Sequence, residues 1–323
     1  MQELSGGCAG QTIVATDSVL AAIMCSCKSF YSWDAIITKH GDKLYLDKRN
    51  GGPLDFVTVN ENATEPPVDG ADNEMTINSP QALAHEATTI NRHFKKFANN
   101  PLETVQFASA NPFSGEQEQP VSPAYRYRQW DLGNMNLVAR TRIDSAVFLP
   151  TVGTELDQVQ ESDHLLSNTG LCNLHALNEF DSRAPGSGNA LDWRQKLDSQ
   201  RGAVMATELK NNISKLSRWT TGALLASTDQ IRLGFVSRHS TKDRKRHVLL
   251  GQSVFKPADL AELINLDITN GWGILKDVAD VCFKMTDGKY ILVKDPNKPL
   301  LRLYQATPGA EPLLEAEQEA ILS

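Results

Sequence analysis

The chain has 323 residues, a net charge of −7, 41% hydrophobic residues and 22% charged residues. That is a folded globular composition, long enough for one large domain or two ordinary ones, and its acidic balance excludes a globally basic nucleic-acid binder. Five scattered cysteines without a Cys-x-x-Cys spacing argue against a disulfide framework or a zinc site, and no run reaches the roughly 18 apolar residues of a membrane span.

Residues 1–10 are glycine-rich and polar and read as a flexible tail. Thr16-Asp17-Ser18 reads as the cap of a buried helix running through Met24. Residues 31–38 and 43–47 read as two strands joined by a His40-Gly41-Asp42 turn. Residues 54–59 alternate apolar and polar and predict a third strand. Residues 60–78 hold acids, Asn, Gly and a Pro-Pro pair and read as loop. Ser79-Pro80 opens a strong helix through Phe97, with Pro in the first turn. Residues 101–123 read as mostly irregular.

Residues 125–130 alternate aromatic and basic side chains and predict a strand with Arg126 and Arg128 on one face; residues 137–143 predict another, with Arg140 and Arg142 on one face. Residues 151–170 read as an acidic, mobile loop. A strand over 170–180 runs into Glu179-Phe180-Asp181, followed by a Gly/Ser/Pro loop over 182–190 and a short helix over 191–200. Residues 203–210 are predicted as a strand ending in Glu208-Leu209-Lys210. Beyond it come a helix over 214–226, a strand over 231–237 and a basic run from Arg238 to His247. Helices over 257–264 and 274–285 and strands over 290–294 and 301–304 complete the order, before a weakly helical or frayed tail. Clustered strands with helices between them favour a mixed α/β (α+β) domain over a strict βαβ repeat.

The two triplets carry the sharpest chemistry. On a strand, alternate residues share a face, so Glu179 with Asp181 and Glu208 with Lys210 would point three acids and a lysine into one groove. Three hard oxygen ligands suit Mg²⁺ or Mn²⁺ in an in-line phosphoryl displacement, and a lysine stabilises developing charge. Short triplets of this kind also arise by chance on solvated surfaces. Arg126, Arg128 and the run containing Arg244, Lys245 and Arg246 are candidate phosphate ligands, weighed against ordinary solvated strand and loop residues. His85 and His93 lack the i, i+4 spacing of a helical zinc site, and the chain has neither a Gly-rich phosphate loop nor a nucleophile elbow.

Several stretches together resemble one family: Tyr31-Ser-Trp-Asp34, Leu46-Asp-Lys-Arg49, Asn78-Ser-Pro80, Ala124-Tyr-Arg-Tyr-Arg128, Leu177-Asn-Glu-Phe-Asp-Ser-Arg183, Asp295-Pro-Asn-Lys298, and above all the block from Asp192 to Asn212. They are similar to the cap-binding domain of the d-subunit family of eukaryotic translation initiation factor three, over roughly residues 10–306. The resemblance implies a fold related to decapping exoribonucleases, with twisted mixed sheets flanked by helices around a tunnel. It divides the chain into a tail (1–10), a cap-binding domain (11–306) and a second tail (307–323). It further implies binding of the mRNA 5′ cap and 5′-proximal RNA, partnership with other factor subunits and the small ribosomal subunit, a cytoplasmic location, and no cofactor.

The same resemblance assigns cap contacts to Asp17, Phe30, Tyr31, Thr88, Asn91 and Arg92, where Phe30 and Arg92 replace Val and His. In the nuclease relatives, acids matching Glu179, Asp181 and Glu208 hold metal beside a lysine matching Lys210. Those relatives also carry a glutamine where this chain has Thr221, and an arginine where it has Val236. The expectation is therefore a vestigial nuclease-like site on a binding module that is not an enzyme; the alternative is a metal-dependent RNA 5′-end nuclease or pyrophosphohydrolase. Physically, a methylated guanine is a flat cation that an aromatic such as Tyr31 stacks on, and a carboxylate such as Asp17 accepts bonds from a base edge.

Overall fold

A computed structural model describes residues 10–68, 77–100, 102–103, 124–148, 169–296 and 298–306. The expectations for residues 1–9, 104–123, 151–168 and 307–323 lie outside them. The apolar run from Ile13 divides into a strand, β1 (Thr12–Thr16), and a helix, α1 (Asp17–Met24). All of α1 but Ser18 is buried, as expected of a helix apolar on every side. A 3₁₀ turn (Ser26–Lys28) leads into β2 (Trp33–His40) and β3 (Lys43–Asp47), joined at Gly41-Asp42.

The strand expected over 54–59 does not form. Pro53 fixes a 3₁₀ turn (Pro53–Asp55), and Asp55 accepts from Gly51 N at 2.7 Å and from Lys48 Nζ. Val57 and Val59 nonetheless pack in one cluster with Leu83 and Ala87 of the next helix and Phe180. That helix, α2 (Pro80–Phe97), starts where Ser79 Oγ accepts from Ala82 N and Pro80, having no N–H, needs no acceptor. Its apolar stripe is Leu83, Ala87, Ile90 and Phe94, the i, i+4, i+7, i+11 spacing of one helix face.

The middle of the chain supplies β4 (Ala124–Asp131), β5 (Asn136–Ile143), β6 (Ser145–Phe148) and β7 (Thr169–Asn178). Three helices follow: α3 (Trp193–Lys196), α4 (Arg201–Asn211) and α5 (Ile213–Ala226). The strand expected over 203–210 is therefore helical. Its buried positions are Val204, Met205, Glu208 and Asn211, a 3.6-residue period, and Ala, Met, Glu, Leu and Lys are all good helix formers. The chain closes with β8 (Gln230–Arg238), β9 (His247–Phe255), α6 (Pro257–Leu263), α7 (Ile268–Phe283), β10 (Gly288–Lys294) and β11 (Leu301–Gln305).

Among the described residues the strands form two sheets. One runs β11-β10-β2-β3-β1-β5-β4, with β1 parallel to both β3 and β5; the other runs β6-β7-β8-β9, with β7 parallel to β8. The first packs on α1 and α7 through Ile13, Leu20, Ile23, Ile37, Leu44 and Leu275. The second carries α3–α6 on one face, through Trp193, Leu216, Leu233, Phe235 and Leu260. Its other face meets α2, and a Cβ at Gly234 would lie 2.7 Å from the Phe94 ring, so the close crossing of helix and strand needs glycine. Helix α5 belongs to both layers, with Leu225 in the first core and Leu216 and Ala223 in the second.

Candidate nucleic-acid interface

The chain passes from one sheet to the other at Asp144, the single residue between β5 and β6. Its carboxylate accepts twice from Lys95 Nζ, at 2.9 Å each, and from Leu174 N at 3.0 Å. Burial opposes the charge, but Lys95, His175 and Arg142 hold the acid down at about 2. Two residues earlier, Arg142 donates its backbone N–H to Asp17 Oδ2 at 2.8 Å and sets Nε 3.5 Å from Asp17 Oδ1. Asp17 opens α1, so its carboxylate sits where the helix dipole favours an anion. Asp17, Arg142, Asp144 and Lys95 thus join α1, β5, β7 and α2 in one ionic network of two buried acids and two half-buried cations.

The residues assigned to cap binding fall around this network in different ways. Asp17 belongs to it. Asn91 is buried, and its amide clamps both backbone groups of Ala176 in β7, donating to the carbonyl and accepting from the N–H at 2.9 Å each. Thr88 accepts from Val57 N at 2.9 Å and donates to Ala84 O at 2.7 Å. Both are engaged in holding α2 against its neighbours. Arg92, one residue on, is exposed. Phe30 and Tyr31 lie in the segment between the 3₁₀ turn and β2, where Phe30 is 52% exposed and Tyr31 is half-buried.

Arg126 and Arg128 have a role that their alternation did not disclose. Arg126 Nη1 donates to Ala226 O (2.7 Å) and Ser227 O (2.9 Å), and Arg128 Nη1 to Leu225 O (2.7 Å). The two guanidinium groups satisfy the last carbonyls of α5, at the negative end of its dipole. The strand presents them to a helix end.

The basic run forms the β8–β9 connection. Its two ends are fixed: Arg238 donates to both oxygens of buried Glu86, at 2.8 and 2.5 Å, and His247 Nε2 lies 2.8 Å from the same carboxylate. Burial works against that carboxylate, yet Arg238 and His247 hold it below the usual range. Between them Arg244, Lys245 and Arg246 are exposed, with Arg246 Nε on Asp243 at 2.6 Å.

The four residues of the acid triplets do not gather as alternating strand residues. Strand β7 ends at Asn178, and Glu179 Oε1 accepts from Trp193 N at 2.6 Å. Asp181 accepts from Arg183 N at 3.0 Å and lies 3.7 Å from that residue's guanidinium. On α4, Glu208 is buried and Lys210 exposed, since neighbours two apart on a helix lie on different sides. Glu208 instead faces Lys215 of α5 and accepts from Asn212 Nδ2 at 2.8 Å. Burial pushes the Glu208 acid up, against Lys215 and with the help of nearby Glu179; burial also pushes the Lys215 ammonium down. Lys215 Nζ lies 5.4 Å from the Trp219 ring centre, and Trp219 stacks on His175 at 4.2 Å and 10°.

Among the described residues no group of three His, Cys, Asp or Glu side chains is placed to hold a metal ion. With Asp181 on Arg183, Lys210 exposed and Glu208 on a helix, the acids do not share the strand face that their spacing suggested. The residues that organise the interior, Lys95, Arg142, Asp144, His175 and Lys215, escaped sequence reading as a group. Arg142 stood out only as a member of a basic face, and the others carry no motif.

A family model described as "Eukaryotic translation initiation factor 3 subunit 7 (eIF-3)" matches residues 1–305. The chain is 48% identical over 307 residues to the D subunit of eukaryotic translation initiation factor 3 from Pyricularia oryzae, covering 92% of this chain and 52% of that protein. To the corresponding D subunit from Schizosaccharomyces pombe it is 45% identical over 324 residues, covering 95% and 54%. The chain spans about half the length of the curated relatives it matches. Among solved structures it is similar to Scheffersomyces stipitis Rai1 in complex with (3′-NADP)+ and calcium ion, with TM-score 0.53, 12% identity, and 99% and 77% of the two chains covered. It is also similar to Candida albicans Rai1 in complex with pU5-Mn²⁺, with TM-score 0.51, 14% identity, and 99% and 78% covered. At these identities the likeness is one of fold, and it is the fold that the sequence resemblance implied.

Proposed function

The chain belongs to the D-subunit family of eukaryotic translation initiation factor 3, and from that premise we propose that it binds the 5′ cap of mRNA within the initiation factor complex. The observation that carries the reading is the Asp17–Arg142–Asp144–Lys95 network. It ties α1, which bears Asp17, to α2, which bears Thr88, Asn91 and Arg92. Residues far apart in sequence are thereby held at one sheet junction. Asp17 is the acceptor for the guanine edge, Phe30 and Tyr31 are the stacking surface for its methylated cationic ring, and Thr88 and Asn91 fix the helix that forms one wall. The exposed β8–β9 connection is the phosphate-contacting element. Selection of messages, contacts with other subunits and the small ribosomal subunit, and a cytoplasmic location belong to the same proposal. Among the described residues no helix is long and apolar enough to cross a membrane.

The protein acts by binding alone. Asp181 is turned to Arg183, Lys210 is in solvent and the charge of Lys215 acts on Glu208. The competing reading, hydrolysis at RNA 5′ ends, draws on the Rai1 fold and the closeness of Glu179 to Glu208. Cap-analogue crosslinking tests the first. Tyr31→Ala should weaken it by roughly 1–3 kcal/mol, the value of base–aromatic stacking, and unchanged crosslinking by a folded Tyr31→Ala protein counts against the site. Release of product from capped or triphosphorylated RNA in Mn²⁺, lost in Glu208→Gln, would establish the second.

A further inference from the structure

Lys294 ends β10, opposite Trp33 at the start of β2, and is 1% exposed. Its ammonium donates to three backbone carbonyls: Ser29 at 3.0 Å, Asp295 at 2.7 Å and Lys298 at 2.7 Å. Three donors thus meet three acceptors, the full capacity of a lysine head group. Two acceptors lie in the β10–β11 connection, and the third lies in the segment that carries Phe30 and Tyr31. Other contacts of the segment include Ser29 N donating to Ser26 O at 3.3 Å. Ser29 Oγ donates to Tyr31 O at 3.0 Å, Asn62 Nδ2 to Lys28 O at 3.4 Å, and Lys28 Nζ to Ile264 O at 3.3 Å.

We propose that Lys294 is the positioning residue for the 29–31 segment, setting the Phe30–Tyr31 surface through the Ser29 carbonyl. A lysine needed only to fill the space beneath β2 would be replaced by an apolar side chain at lower desolvation cost. What an apolar residue lacks is the directed, charge-assisted bond that crosses from one sheet-edge hairpin to a segment about 265 positions away in the chain. The inference rests on the cap-binding reading for its consequence, but not for its geometry.

The test uses the full chain with Lys294→Met, which keeps length and removes the ammonium, alone and combined with Tyr31→Ala. Hydrogen exchange at residues 29–32 should rise about tenfold in Lys294→Met while β8 stays protected, because one local anchor is removed and not the core. Affinity for 7-methyl-GTP should fall in Lys294→Met, and the double variant should lose less than the sum of the two single losses, since only Phe30 is then left for Lys294 to position. Faster exchange confined to residues 295–300 would mean that Lys294 holds only its own hairpin. Faster exchange everywhere would mean that it supports global stability only. Additive losses in the double variant would place its effect elsewhere than the 29–31 segment. Each of these outcomes overturns the proposal. If Tyr31→Ala leaves 7-methyl-GTP binding unchanged, the cap reading fails, while the exchange arm still decides the role of Lys294.

Discussion

Two buried acid–lysine pairs sit in the same interior and behave in opposite ways. Asp144 accepts four hydrogen bonds among the described residues: two from Lys95, one from Leu174 N at 3.0 Å and one from Asn173 Nδ2 at 3.4 Å. Glu208, equally buried, accepts one, from Asn212, and its neighbours include a second carboxylate. The first acid is held at about 2 and the second is pushed up. Burial is common to both; the balance of nearby charge decides which way the proton equilibrium moves, with Lys95, His175 and Arg142 around Asp144 but Lys215 opposed by Glu179 around Glu208. The contrast separates a junction that fastens two sheets from a pair whose charges the fold tolerates. Glu61 points the same way: it is a buried acid whose charge acts on Lys215, and its Oε1 is left without a hydrogen-bond partner.

The largest loss of stability should come from breaking the satisfied pair. Asp144→Asn removes the counter-charge of half-buried Lys95 and leaves Arg142 only Asp17, and stability should fall by about 1–3 kcal/mol in denaturant unfolding, the cost of hydrogen bonds to charged groups. The sign in acid follows from the depressed Asp144 group. Its stabilisation is present above the unfolded value near 3.8 and disappears as pH falls through about 2. Wild type should therefore lose stability steeply across that window, and Asp144→Asn should show a shallower loss. An Asp144→Asn protein as stable as wild type at pH 7 would mean that the network does not join the sheets.

The unsatisfied pair should respond in the other direction. Replacing both members by apolar side chains of similar volume, Glu208→Met with Lys215→Met, should leave stability unchanged or raise it by roughly 1–4 kcal/mol, as for other buried ion pairs exchanged for hydrophobic residues. The pH dependence distinguishes the two pairs further. A group whose folded value is raised binds more protons in the native state, so its contribution falls as pH rises from the ordinary carboxylate range toward neutrality. That slope should vanish in the double variant. Loss of several kcal/mol instead would show that Glu208 and Lys215 are held in register as firmly as Asp144 and Lys95.

The two regions also differ in how far the sequence disclosed them. Elements with local punctuation were legible: Ser79-Pro80 at the start of α2, the turn between β2 and β3, and the Asp295-Pro296 connection after β10. Strand β9 was not, because an edge strand whose register on β8 shifts at Leu250, opposite Phe235 and Val236, shows no clean alternation. The Glu208 region misled because Glu-x-Lys fits a strand equally well, and only the longer period from Val204 to Asn211 reveals a helix. Asp17 was singled out by resemblance, whereas Asp144 and Lys95 carry no signal, since their pairing depends on bringing positions 49 apart together across a sheet junction.

A more local effect concerns the arginines of β4. If Arg126 and Arg128 cap α5, then Arg126→Ala with Arg128→Ala should lower stability by about 1–3 kcal/mol, through the absence of charge-assisted bonds to the last carbonyls of α5. Thermal unfolding reads this directly. The same double variant should leave the salt dependence of RNA binding unchanged, because those guanidinium groups face a helix end. A flattened salt slope with unchanged stability would return them to the phosphate path.

The smallest effect on the fold, and the one most specific to RNA, belongs to the β8–β9 connection. Arg244, Lys245 and Arg246 are exposed, while the bonds that shape the loop lie at Arg238, His247 and Glu86. Neutralising the three together should change stability by no more than about 0.5 kcal/mol, as for surface positions away from such networks. Because the chain is net acidic, attraction to RNA rests on local cations and not on its overall field. The triple variant should bind capped and uncapped RNA more weakly by the same factor, and its log affinity against log salt should flatten by about 0.7 for each single-strand phosphate that is no longer neutralised. Arg246 should contribute least, since Asp243 already holds its guanidinium at 2.6 Å. The advantage of capped over uncapped RNA should survive, because stacking on Tyr31 and bonds to Asp17 involve none of these side chains. A triple variant with the parental salt slope would make the run a solvated loop and turn attention to Arg92 and Lys96, exposed cations of α2.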